Sequence, residues 1–169
     1  VAEPVRNVRL AVDRVDYMVP LDLAPYRGKT VALDIHVGDG HRRTDVNKDI
    51  CWTKMELSDE FSVENIEKYR PVFHHTPQYG WMNDPNGMFY KDGVYHLYYQ
   101  YNPYGSMWGN MHWGHSSSRD LVNWNHHPVA IVPDQWGTIF SGSAVVDKDN
   151  TARFGAGAVV ALYTSAGIT

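Results

Sequence analysis

Cysteine is almost absent: Cys51 is the single thiol in 169 residues. One thiol makes no intrachain disulfide and no zinc site of paired thiolates, so cysteine says nothing here about compartment. No apolar run reaches the roughly 18 residues that a membrane-spanning helix needs. The opening VAEPVRNVRL has no apolar signal core. Basic residues are few as well, with 15 Lys and Arg against 19 Asp and Glu and a formal net charge of -4. Without clustered Lys and Arg there is no groove for a phosphate backbone, which argues against nucleic acid as a partner. Aromatic residues, in contrast, are plentiful at 13%. They suit β-structure and carbohydrate-stacking surfaces alike.

Charge and aromaticity are unevenly spread. Residues 1–68 hold 23 of the 34 charged side chains, whereas residues 69–169 hold 11 of them together with five of the six Trp. This shift places a boundary near Tyr69-Arg70-Pro71, after the polar run DEFSVENIEKY, which reads as a linker or a short helix. Before it, Val8, Leu10 and Val12 alternate with polar neighbours, and so does Thr30 to Val37 after the turn signal Arg27-Gly28-Lys29. With Ile50 to Leu57 these predict strands of a partial β-sandwich-like segment over 1–68. After the boundary, MFYKDGVYHLYYQYNP predicts two aromatic strands around the hairpin signal Asp92-Gly93. Further strands are predicted at His112–Ser118, at Phe140–Val146 before a turn at Asp147–Asn150, and at Ala158–Thr164. Short strands at this spacing, with Gly and Asn turns, indicate a sandwich, barrel or propeller.

The run Trp81-Met82-Asn83-Asp84-Pro85-Asn86-Gly87 concentrates unusual chemistry. A carboxylate stands between two amides, with one residue that fixes φ and one that frees it. Asn and Asp before Pro favour a turn over a strand interior, and a surface turn is the plain reading. A turn needs neither the flanking Trp81 nor the aromatic wall on its C-terminal side.

HHTPQYGWMNDPNGMFY, followed by HLYYQYNPYGSMWGNMHWGHSSSRDLVNW, resembles the opening of the catalytic domain of glycoside hydrolase family 32, which contains invertases, levanases and inulinases. Several blocks recur in order from about Tyr69 to the C-terminus. The resemblance implies an all-β fold: the first blades, about two, of a five-bladed β-propeller over 69–169, preceded by the sandwich-like segment. It implies retaining hydrolysis of β-D-fructofuranosyl linkages in fructans or sucrose. Asp84 matches the catalytic nucleophile, and Asn83 a neighbour that hydrogen-bonds the fructosyl unit. Gln100 matches a pocket residue, Trp108 an aromatic wall of the fructose subsite, and Phe140 and Ser141 a further block lining the pocket. Trp81 is expected to pack beside the nucleophile segment. No cofactor and no metal are expected, and export to the periplasm, cell surface or medium is.

Two parts of the family pattern have no counterpart. The general acid is a Glu within a Glu-Cys block, yet the only glutamates are Glu3, Glu56, Glu60, Glu64 and Glu67. Asp120 follows Arg119 but precedes Leu121, so it does not match the Arg-Asp-Pro stabiliser; its plain reading is a capped turn ended by Trp124. The missing pieces are expected C-terminal to Thr169 or on a second chain completing the propeller. A non-catalytic fructan-binding fragment is therefore the alternative, and transfructosylation and a related furanoside-cleaving propeller also stay open. Nine histidines invite a metal reading. His112 and His115, three apart on a strand, face opposite sides, and the neighbours His74-His75 and His126-His127 diverge too.

Overall fold

The computed structural model describes residues 20–33, 55–60, 70–105 and 107–167. A 3-10 turn at Ala24–Tyr26 is followed by six strands: β1 (Trp81–Lys91), β2 (Val94–Asn102), β3 (His112–Ser118), β4 (Asn125–Ile131), β5 (Thr138–Asp147) and β6 (Ala158–Ala166). The first four make one antiparallel sheet in the order β1-β2-β3-β4, and β5 and β6 pair in a second. The all-β reading holds: a four-stranded blade leads into half of the next, one and a half blades rather than about two. The predicted strand around Val8–Val12 lies outside the described residues. Thr30–Leu33 and Met55–Leu57, the described parts of the other two, are not in strands.

The β1–β2 hairpin forms where the sequence places it. Asp92 and Gly93 have φ of 50° and 78°, the positive pair that matches a two-residue hairpin turn to strand twist. The NDPNG run, predicted as a turn, is instead part of β1. It stays in the ladder because two irregularities absorb it, between Asn83 and Pro85 and between Asn86 and Phe89. Asn83 pairs with Gln100 and Pro85 with Tyr99, so Asp84 is the extra residue of a bulge. Gly87 adopts a φ of 55°, and a Cβ there would meet the Trp113 ring at 2.9 Å. Pro85 is tolerated because β1 is an edge strand. The opposite edge, β4, carries the exposed Pro128. That proline and two histidines hid β4 from the strand pattern.

Alternation along β2 and β3 splits the first blade into two faces. On one, Leu97, Tyr99 and Tyr101 form the core with Met82, Trp124 and Val129. Tyr99 lies over Gly114, its partner on β3, where no side chain would fit. The other face carries a row of rings across four strands. Phe89 stacks on His96 at 4.6 Å, Tyr98 on His115 at 4.5 Å, and His115 on His127 at 4.4 Å. Trp113, fully buried, continues the row to Tyr163 of β6. Polar ties hold the two sheets together. Gln100 Nε2 donates to Ile139 O at 2.9 Å, Trp113 Nε1 to Phe140 O at 3.0 Å, and the Ile139 amide to Met111 O at 2.9 Å.

Candidate active site

The junction of β1 and β5 is bulged on both sides. In β5, Ile139 pairs with Ser165 and Gly142 with Tyr163, which leaves one extra residue at Phe140-Ser141. Bulges re-aim side chains out of strict alternation, and here they turn Asp84 and Ser141 toward each other. Ser141 Oγ donates to Asp84 Oδ2 at 3.0 Å. The Asp84 carboxyl is exposed yet held below the usual carboxylate range, first by the Asn83 side chain and then by the Ser141 hydroxyl. It is therefore ionised at neutral pH. A carboxylate only accepts, so Asn83 engages it through Nδ2.

The backbone beneath is braced. Asn86, 6% exposed, donates from Nδ2 to the Asp84 carbonyl at 3.2 Å. Trp81 Nε1 donates to Asn83 Oδ1 at 2.9 Å. Beside these groups two aromatic faces stay open to solvent: Phe140 and Trp108 are 37% and 59% exposed, with ring centroids 6.3 Å apart. The loop that bears Trp108 is tied down by the fully buried Asn102, whose Nδ2 donates to Met107 O and whose Oδ1 accepts the Tyr104 amide.

The structure thus gathers Asn83, Asp84 and Ser141 in direct contact, with Phe140 next to Ser141 and Trp108 facing Phe140. Gln100 lies directly across the ladder from Asn83, beneath the exposed cluster. It is 3% exposed, its amide group is engaged with Ile139 O, and it acts as a tie between the sheets. Asn86, Asn102 and Trp113 escaped the sequence reading. The two amides carried a weak signal, as polar residues flanking strand segments of otherwise aromatic character. Nothing in HWGH marked Trp113 as the residue that anchors the β5 bulge.

Asp120 behaves as the turn cap expected of it: its carboxyl accepts the Val122 and Asn123 amides at 2.9 and 2.7 Å, bonds that hold it deprotonated. The histidines pair through the sheet. His126 lies 3.2 Å from Ser116 Oγ, which is also 2.9 Å from His75, while His127 turns the other way to Ser117 at 2.7 Å. Among the described residues no group of three or more His, Cys, Asp or Glu is placed to hold a metal ion. Among them, too, no helix is long and apolar enough to cross a membrane.

Comparison with known proteins places this geometry. Residues 3–73 match a domain of unknown function (DUF4980). A levanase of Bacillus subtilis is 63% identical over 101 residues, 58% of this chain and 15% of its own length. An extracellular exo-inulinase of Aspergillus niger is 49% identical over 107 residues, 59% of this chain and 20% of its own. The β-fructofuranosidase of Schwanniomyces occidentalis, solved with fructosyl-erythritol, superposes with a TM-score of 0.53 at 47% identity, covering 56% of this chain and 20% of that one. The chain thus spans about a fifth or less of the length of these relatives. Residues 74–168, more than half of the sequence, match the N-terminal domain of glycosyl hydrolases family 32, and the chain belongs to that family.

Proposed function

We propose that this chain supplies the nucleophile for retaining hydrolysis of β-D-fructofuranosyl linkages in fructans or sucrose. The observation that carries the reading is Asp84 itself: an exposed carboxylate, kept ionised by Asn83 and Ser141, beside the open faces of Phe140 and Trp108. The names of the relatives, levanase and exo-inulinase, agree with the substrate class. So does the fructosyl ligand in the solved neighbour.

The chemistry rests on the residue types. A furanose ring has hydroxylated edges and a less polar face. Asn83 is suited to bond an edge, and the two rings pack the face and displace water. A carboxylate oxygen of Asp84 attacks the anomeric carbon, and the bond from that carbon to the leaving oxygen breaks. A carboxylic acid about 5–5.5 Å from the nucleophile protonates the leaving oxygen. Water then attacks the fructosyl ester, gives its proton to that same group, and frees Asp84. All five glutamates precede Lys68, and none stands in a Glu-Cys block, so we assign the acid to residues outside this sequence. Residues 69–169 are read as the first part of the propeller and 1–68 as a separate segment. Export fits the extracellular relative.

Asp84→Asn in the full-length protein tests the assignment. Turnover on levan, inulin and sucrose should fall by a factor on the order of 10⁴ or more. Near-normal turnover would refute it, and the wild-type products identify the preferred linkage.

A further inference from the structure

We infer that Trp136 selects for chain length: its indole is an outer platform for the sugars of a fructan that lie beyond the cleaved linkage. The inference rests on the reading of Asp84 as nucleophile and adds a residue that favours fructan chains over sucrose.

Asp134-Gln135-Trp136-Gly137 closes a tight turn on the way into β5. The Asp134 and Gly137 amides each donate to the other's carbonyl at 3.2 Å, and Asp134 Oδ1 accepts the Trp136 amide at 2.8 Å. Gly137 has a φ of 131°, and its backbone lies so close to Ala166 of β6 that no side chain would fit. The turn is thus pinned by its backbone, while the indole it carries stays 67% exposed.

One exposed ring needs no explanation by itself; the place of this one is what matters. Trp136 precedes Phe140 by four residues and Ser141, the donor to Asp84, by five. Four residues of extended chain cover at most about 14 Å, a span that a short oligosaccharide held at Asp84 can bridge. The Ile139 amide, bonded to Met111 O, draws the start of β5 against the loop that bears Trp108. Trp108, Phe140 and Trp136, all facing solvent, therefore come from two adjoining segments. The first two have centroids 6.3 Å apart and serve the sugar under attack. Trp136 stands upstream of Phe140 on its own turn, so it serves a different sugar. Asp134 is the only charged side chain between Ile131 and Ser141, which suits a neutral ligand with flat, weakly apolar faces. Because the turn is already ordered, stacking on it costs little further entropy. Sucrose has one sugar beyond the cleaved bond, whereas a fructan has a run of them.

The test measures kcat/KM of the full-length protein on sucrose and on inulin- and levan-type oligosaccharides of increasing length. In the wild type it should rise with length. Trp136→Ala should lower the ratio of long-chain to sucrose kcat/KM about three- to tenfold, the worth of one aromatic contact, and Trp136→Tyr should keep most of it. Gln135→Ala, on the same turn, should leave the ratio unchanged. A wild type indifferent to length, an unchanged ratio in Trp136→Ala, or an equal fall on sucrose and on chains would overturn the inference. So would a Gln135→Ala that matches Trp136→Ala, since the shape of the turn rather than the ring would then be responsible. Binding separates this result from the fate of the nucleophile. Trp136→Ala added to Asp84→Asn should weaken calorimetric binding of the preferred oligosaccharide by a similar factor. An active Asp84→Asn enzyme sinks the reading of Asp84, whereas unaltered affinity in the double variant sinks only the role of Trp136.

Discussion

Replacing Trp113 by Phe should loosen the junction between the two sheets before it disturbs either one. Trp113 is fully buried, 5.6 Å from Tyr98 in its own sheet and 6.0 Å from Tyr163 in the other. Its indole N–H is the donor to the Phe140 carbonyl at 3.0 Å. Phe keeps most of the ring volume but leaves that carbonyl without this donor, at about 1–3 kcal/mol. Ala would add the cavity and cost roughly 3–5 kcal/mol, a large part of a typical stability of about 5–15 kcal/mol. For a urea dependence of about 2 kcal/mol per molar, Trp113→Phe moves the midpoint down by roughly 0.5–1.5 M. Because Phe140 and Ser141 form the β5 bulge, activity on fructan should fall even in buffer without urea, while Trp113→Phe remains folded by circular dichroism. Urea titration followed by tryptophan emission, paired with initial rates, is the assay. A variant that unfolds at the wild-type midpoint would refute the claim that this indole ties the sheets together.

Two further consequences concern stability. Gly114→Ala should cost about 1–3 kcal/mol through overpacking against the Tyr99 ring, and Tyr99→Leu in the same chain should recover part of it. Equal losses in single and double variants by thermal melting would contradict the contact. His75 and His115 are each lowered from 6.5 to about 4, chiefly by burial, then by neighbouring imidazoles (His126, with Arg70, for His75; His127 and His96 for His115). Both are neutral in the fold, so their contribution is complete above pH 6.5 and is lost as pH falls from 6.5 toward 4, where the unfolded chain binds protons that the native state refuses. Melting temperatures between pH 7 and pH 4.5 should drop, and His115→Gln should reduce the slope. An unchanged slope in that variant would count against it.

The aromatic hairpin, β3, β5 and β6 were legible because alternation and the Asp92-Gly93 turn are local signals. β4 was not, since His126, His127 and Pro128 suppress the pattern on a strand held only from one side. The site was legible through a motif rather than through periodicity. NDPNG looks like a turn because each of its residues favours one; tertiary pairing with Gln100, Tyr99 and Tyr98 overrides that preference and keeps it in a strand, with Asp84 expelled as the surplus residue. Gln100 was read as a pocket residue on resemblance, and only the second sheet reveals the carbonyl that engages it. Side-chain bonds between the sheets join residues 27, 39 and 57 positions apart, separations that no local pattern encodes.

Proline stands in both rim strands of the first sheet, Pro85 in β1 and Pro128 in β4, whereas β5 and β6 have none. A rim that lacks an amide proton midway is a poor template for another strand. The first sheet stops at four strands, and the β5–β6 pair joins it through single bonds such as Gln100 to Ile139 O and the Ile139 amide to Met111 O, not through a fifth ladder. Termination at the margins thus turns a continuing ribbon into separate blades, and the seam where two of them meet is where Asp84 and Ser141 come together.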